Sequence, residues 1–250
     1  MTFSSLGQKE NKEWYDLDRI LDSLYELPYN DPNYKAILDS VHKRCIDIEY
    51  KEGEAEAKNF LGNYYSEKGN HDLGRKNIVF AIQIYKRLGL PEEYIAQSYL
   101  DIGNTWYREG KLDNAMRKYL DAMRIFEEHR DSSKMIKGYA NMGTVHIALE
   151  QFQKAEGYLM EMLTVAENLK DTKEIAHANN LLGNLFQTQG DLETAASYFK
   201  KALEINLKIN NARGIAHSYN NFAILQYYEG NLDGALAYFK RALDKRLEIN

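Results

Sequence analysis

The chain has 250 residues, and only three are proline (Pro28, Pro32 and Pro91), against an average usage of about 5%. That scarcity points to a structure built almost entirely of helix. With 28% charged and 44% hydrophobic residues, and no apolar run near the roughly 18 residues of a bilayer span, neither a disordered chain nor membrane insertion by this segment is expected. The net charge of -5 comes from 32 basic and 37 acidic residues that are interspersed, so no basic stripe is left to collect phosphates and nucleic acid is not an expected partner.

In chain order, residues 1–10 read as a disordered terminus or the remnant of a tag or secretory signal, with Ser5 and Gly7 placed for cleavage before Gln8. The first reading implies a cytoplasmic protein and the second a periplasmic one. Residues 11–53 divide at Pro28 and Pro32 into two helical stretches, Lys12 to Leu27 and Asn33 to Tyr50, and form a divergent hairpin that caps the rest of the chain. The single cysteine, Cys45, has no internal partner; it shares a helix face with His42 and is expected to be a buried apolar side chain.

From residue 54 onward the chain repeats. Gly62, Gly103, Gly143, Gly183 and Ala223 lie 41, 40, 40 and 40 residues apart. Seven residues after each anchor stands Gly69, Gly110, Gly190 or Gly230, with Glu150 breaking the series. Small residues follow in pairs around a bulky one, such as Ala115, Tyr119 and Ala122, or Ala195, Phe199 and Ala202. The pattern predicts helical hairpins in which a small anchor admits the second helix, a left-handed glycine ends the first, and two small residues flank a knob. One hairpin cannot bury its own apolar face, whereas stacked copies can. The turns between units carry helix-start chemistry at Pro91, Asp131, Asp171 and Asn211. First helices are expected near 92–109, 133–149, 173–189 and 213–229, and second helices near 112–129, 152–169, 192–209 and 232–249. The expected units are 54–91, 92–131, 132–171, 172–211 and 212–250.

This pattern resembles the tetratricopeptide repeat, most visibly in Leu182, Gly183 and Asn184 with Gly190 and Ala195, and in the stretch from Tyr99 to Gly110. The resemblance covers about residues 55 to 250. The period of 40 is similar to the long repeats of Pins-type adaptors, kinesin light chain and bacterial sensor modules. It implies an all-α, right-handed α-solenoid whose first helices line a concave groove. Family positions six before, two before and one after the anchor then face that groove. Here they are Glu56, Phe60 and Asn63; Gln97, Asp101 and Asn104; Lys137, Asn141 and Thr144; His177, Leu181 and Asn184; and His217, Asn221 and Ile224. An Asn amide pairs with a peptide backbone whatever that peptide's side chains are. Each of these asparagines has a second reading as a tie between hairpins, with Asn180 and Asn220 at the edge of the stripe. Tyr99, Tyr139, Tyr219, Tyr227 and Tyr228 are either aromatic walls or core.

The candidate binding residues are therefore Asn63, Gln97, Asp101, Asn104, Arg108, Lys137, Asn141, His177, Asn184, His217 and Asn221. The two-carboxylate clamp of chaperone-binding repeats is not expected, because its lysine positions hold Asn59, Leu100 and Ala140 and leave only Lys137 and Arg108. No enzyme, metal site or cofactor is expected: the six histidines lie in separate units without H-E-x-x-H spacing, and no glycine loop cradles phosphate. The expected function is a non-catalytic module binding a protein or peptide ligand, within a larger bacterial signalling or scaffolding protein. The alternative is a homodimer or structural spacer formed through the last helix, Leu232 to Asn250, which stops without a polar solvating helix. A quorum-response regulator is set aside, since the helical domain such proteins carry before their repeats exceeds the first 53 residues.

Overall fold

The computed structural model describes residues 12–24 and 27–248. Among the described residues there are twelve α-helices and no strand. They are α1 (Lys12–Leu24), α2 (Tyr34–Asp47), α3 (Lys51–Glu67), α4 (His71–Leu88), α5 (Glu92–Arg108) and α6 (Leu112–Glu128), followed by α7 (Ser132–Ala148), α8 (Phe152–Asn168), α9 (Thr172–Gln189), α10 (Leu192–Lys208), α11 (Ala212–Tyr228) and α12 (Leu232–Leu247). The expected repeat helices coincide with α5 to α12 within one or two residues. The expected helix to Tyr50 ends instead at Asp47, where Glu49 turns with a φ of 58°. Residues 1–10, read above as a disordered terminus or the remnant of a tag or signal, lie outside the described residues, as do 249–250 at the end of the last expected unit. The chain divides into two compact units, up to Ile125 and from Phe126.

Helix starts follow from local chemistry. Asp131 accepts from the Lys134 amide at 3.1 Å, Asp171 from the amides of Lys173 and Glu174, Asp191 from Thr194, Asn211 from Gly214 and Asn231 from Gly234. Each satisfies an amide that the first helical turn leaves without an intrahelical partner. The hairpin turns are left-handed at Gly69, Gly110, Gly190 and Gly230 as the spacing predicts, and Glu150 keeps the same conformation at φ 56° despite its Cβ. A second set of left-handed turns, ending α6, α8 and α10, is formed by Arg130, Lys170 and Asn210. No glycine marks these three, so the sequence pattern did not single them out.

Within the second unit the anchors admit their knobs at contact distance. A Cβ added at Gly183 would stand 2.4 Å from a ring carbon of Phe199, and one at Gly143 would stand 2.6 Å from Leu159. Phe199, Ala195 and Ala202 are fully buried, and Phe199 meets Phe222 of the following first helix edge-on at 6.4 Å. Consecutive helices pack along the unit, and α9 also touches α7 and α11 directly. The first helices therefore share one face.

The first unit has the same hairpins, with Tyr119 against Gly103 and Ile78 against Gly62. Its amino-terminal helices behave differently. Leu17, Leu21 and Leu24 of α1 enter one core with Tyr34, Val41 and Cys45 of α2 and with Phe60 and Leu61 of α3. Trp14 stacks on Tyr50 at 4.7 Å, and the Tyr50 hydroxyl donates to Asp18 at 2.6 Å. Cys45 is buried, and that burial pushes its thiol up to about 12, so it stays protonated as the apolar side chain expected. Docking α1 on α3 also crowds carboxylates. Glu56 is pushed up to about 7, by burial first and then by Asp18, Asp22 and Glu52.

Two outcomes follow from this packing. Gly183→Ala presses a Cβ into a ring that cannot yield along its edge, so it is expected to cost about 1–3 kcal/mol in urea unfolding. The double variant with Phe199→Leu should recover part of that loss; an unaffected midpoint for the single variant would rule out close approach at the anchor. For Glu56 the folded-state pKa lies above the unfolded one, so its protonated form is favoured and stability falls as pH rises through the window from about 4.5 to about 7. Glu56→Gln should therefore stabilise the chain at pH 8, by on the order of 2 kcal/mol, and leave it unchanged at pH 4. Equal gains at both pH values would show that ionisation is not the cause.

Candidate functional site

The stripe predicted to line the groove has different surroundings in the two units. In the first, several of its residues are engaged by the protein's own chain. Phe60 is buried beneath the α1 leucines. Asp101, itself buried, accepts from the Asn59 amide at 2.6 Å, and Asn59 in turn accepts from the Ser98 hydroxyl at 3.1 Å, tying α3 to α5. Asn104 accepts from the Tyr119 hydroxyl at 2.8 Å, a tie within its own hairpin. Arg108 pairs with Glu67 across the two first helices. Tyr29, from the turn after α1, is pushed up to about 12 by burial and by Asp101 and Glu67, against the opposing charge of Arg108. Asn63 and Gln97 are half-buried.

In the second unit the stripe opens onto a hollow of about 250 Å³ between α9 and α11. His177, Leu181, Asn184 and His217 line it. Lys173, Asn180, Asn206, Asn211 and Gly214 line it as well. Asn221 is buried below, where its amide donates to the Asn180 carbonyl oxygen at 3.1 Å and to His217 Nδ1 at 3.5 Å. That contact leaves the proton of neutral His217 on Nε2. The pKa of His217 is lowered by desolvation and then by the positive charges of His177 and Arg246. His177 Nδ1 faces Glu174 at 3.2 Å, which holds that carboxyl below its usual value, with Lys137 adding to the effect. Lys137 is exposed and Asn141 half-buried on α7.

Asn184 also lines a second hollow of about 590 Å³, with Gln187, Thr188, Leu192, Ile224 and Tyr228. The two hollows thus meet at Asn184. From Lys173 to Thr188 they follow fifteen positions of α9, roughly 22 Å of helix, the span of roughly six or seven residues of extended peptide. Of the tyrosines, Tyr228 lines this hollow, Tyr139 packs against Tyr158 and Tyr219 against Tyr238. Tyr99 lines a separate, more apolar hollow of about 640 Å³ in the first unit, where the Arg75 guanidinium lies 3.5 Å over Trp106.

Of the residues the stripe left out, Asn206 had a readable signal. It occupies a second-helix position that is Phe126 and Ala166 in the preceding repeats, and it is almost fully buried. Lys173 and Gly214 sit at helix starts and carry no such mark. Among the described residues no group of three His, Cys, Asp or Glu side chains could hold a metal ion, and no helix is long and apolar enough to cross a membrane.

Residues 135–208 and 174–248 match the family described as tetratricopeptide repeat. No curated protein matches the chain. Among solved structures it resembles BtubC (BKLC) from P. vanneervenii, with a TM-score of 0.65 and 20% identity over 94% of this chain and 90% of that one. It resembles the apo form of RapI with a TM-score of 0.72 and 16% identity, over 93% and 82% of the two chains. A Rap protein complexed with competence and sporulation factor gives 0.59 and 17%, over 94% and 77%. Likeness at these identities is one of fold. Residues 135–248 thus carry tetratricopeptide repeats by sequence, and the described helices share the all-α repeat fold of these structures.

Proposed function

We propose that the chain is a non-catalytic protein-interaction module that takes an extended segment of a protein partner along the inner face of α9 and α11, within a bacterial signalling or scaffolding assembly. The observation that carries this reading is the pair of hollows that share Asn184 in their lining, one with His177 and His217 and the other with Ile224 and Tyr228. Amide side chains along it suit backbone recognition. The resemblance to a Rap protein complexed with a factor is consistent with it. The amino-terminal hairpin engages Phe60 of the first unit's stripe in its own core, which leaves the second unit as the binding face.

A second reading rests on α12. Leu232, Leu236, Phe239, Leu243 and Leu247 form one stripe along it and are 44 to 64% exposed, whereas Phe199, the repeat equivalent of Phe239, is fully buried. A second copy pairing through this stripe would cover it.

Peptides of eight residues selected from a displayed random library against the whole chain should lose about tenfold in affinity on Asn184→Ala with Thr188→Ala, at an unchanged melting temperature. Affinity that survives the double substitution would exclude the trough. For the second reading, light scattering should show mass rising with concentration and returning to the monomer value in the variant with Leu236→Glu and Leu243→Glu. A monomer at every concentration removes it.

A further inference from the structure

One position of the repeat is filled differently in the first unit. Fifteen residues after Gly143, Gly183 and Ala223 stand Tyr158, Tyr198 and Tyr238, and each packs on a ring of the first helix in its own hairpin. Tyr158 lies flat on His146 at 5.3 Å, and Tyr198 lies flat on Phe186 at 5.5 Å. The same position after Gly103 is Lys118, whose ammonium stands 4.8 Å from the centre of the Tyr99 ring and donates to Asp121 at 2.6 Å. Lys118 lines the hollow of about 640 Å³ between α4, α5 and α6. Tyr99 and Trp106 line it too, and they are the repeat equivalents of Tyr139 and His146, the two rings that Tyr158 packs on. Buried Ile82 and Ile102 close the hollow from below, and Val79 and Phe80 stand at its mouth, 43 and 41% exposed. Asp72, the acid of the lining, is bound to Arg75, which also donates to Glu109 at 2.5 Å and lies over Trp106. Lys76 and Lys118 give the rim a basic character. Tyr99, Ile102 and Trp106 lie about half a turn round α5 from Gln97, Asp101 and Asn104, so the hollow is separate from the stripe.

We propose that this hollow docks an acidic segment of a protein partner, whose aromatic side chain takes the place beside Tyr99, Trp106 and Lys118 that Tyr158, Tyr198 and Tyr238 fill in the later repeats. The chain's own packing shows the complement, a ring laid on the first-helix rings. Ring pairs of this kind add to what area burial alone supplies, and the Lys118 ammonium can lie over the incoming ring as it lies over Tyr99. Carboxylates on either side of that ring meet Lys76 and Lys118, which fixes the direction of the segment and favours acidic partners over basic ones. The hollow is larger than one ring, and its mouth carries Val79 and Phe80. A segment covers these with the neighbours of its aromatic residue, whereas a lone aromatic molecule leaves them in water. The site does not rest on the trough of the second unit and stands or falls without it.

The test titrates the whole chain with an N-acetylated peptide amide of sequence Glu-Asp-Phe-Asp-Glu and reads the indole N–H resonance of Trp106, with Trp14, the other tryptophan of the chain, as reference. The Trp106 resonance should shift saturably while that of Trp14 stays in place. A peptide with Leu for Phe should bind about fivefold more weakly, and one with Gln and Asn for the acids about threefold more weakly. Lys118→Tyr supplies the ring from the chain itself, so it should abolish the titration shift at an equal or higher melting temperature. Lys118→Ala leaves the hollow open and should keep the preference for Phe over Leu at about threefold lower affinity. Should Lys118→Tyr disturb the fold, Phe80→Glu at the exposed mouth sets like charge against the peptide and should weaken it about fivefold. A Trp106 resonance that does not move, equal binding of the Phe and Leu peptides, or undiminished binding by folded Lys118→Tyr or by Phe80→Glu overturns the site. Phenylacetate binding as tightly as the peptide would assign the hollow to a small aromatic acid and overturn the protein partner.

Discussion

The close approach of two helices at a residue with no side chain is the contact on which the rest depends. At Gly62, Gly103, Gly143 and Gly183 the partner helix delivers Ile78, Tyr119, Leu159 or Phe199 so near that a methyl group would collide. Each hairpin is thereby set at one spacing by dispersion and burial. The knob then faces the next first helix, as Phe199 faces Phe222. Because this apolar contact holds the hairpin, the opposite face of the first helix can carry polar residues, some of which tie one first helix to the next. A binding surface becomes available as a by-product of how the core is closed.

What the first unit does with that surface shows how freely it can be used. There the chain lays α1 over α3, and Phe60, a stripe position, becomes core beneath Leu17, Leu21 and Leu24. The same docking crowds Glu56 against Asp18, Asp22 and Glu52, and burial with their charge pushes its carboxyl up to about 7. The same helix face is thus a floor for the chain's own hairpin in one unit and an open trough in the other. The difference lies in what is stacked on it and not in the repeat itself.

This explains what could be read in advance. Helix bounds in α5 to α12 were legible because capping Asp and Asn and turn glycines recur at a fixed period, and each enforces a local conformation. The period of 40 puts His177 and His217 at equivalent positions, and the family resemblance adds Leu181 and Asn184 to the same stripe. The role of each asparagine was not. Asn104, Asn180 and Asn221 all lie on or beside the stripe, yet their bonds run to Tyr119, Asn221 and His217, partners set by tertiary geometry. Left-handed turns at Arg130, Lys170 and Asn210 were equally hidden, because the helices on either side impose them on residues that do not advertise them.

The asparagine ties and the binding surface are therefore not alternatives. An Asn whose carbonyl oxygen is held from behind is a fixed amide donor in front. The bond from Asn221 to Asn180 orients the Asn180 NH2 group, and the bond from Asn221 to His217 Nδ1 sets the tautomer that puts a proton on Nε2. Flexible polar side chains lose rotamer entropy when they grip a ligand, and ones already locked by a neighbouring repeat do not. A repeat protein is well placed to exploit this, because each unit supplies the support for the donors of the next. The chemistry of the trough is consequently a property of the pair of helices α9 and α11, with Asn206 behind them, and no single repeat read alone contains it.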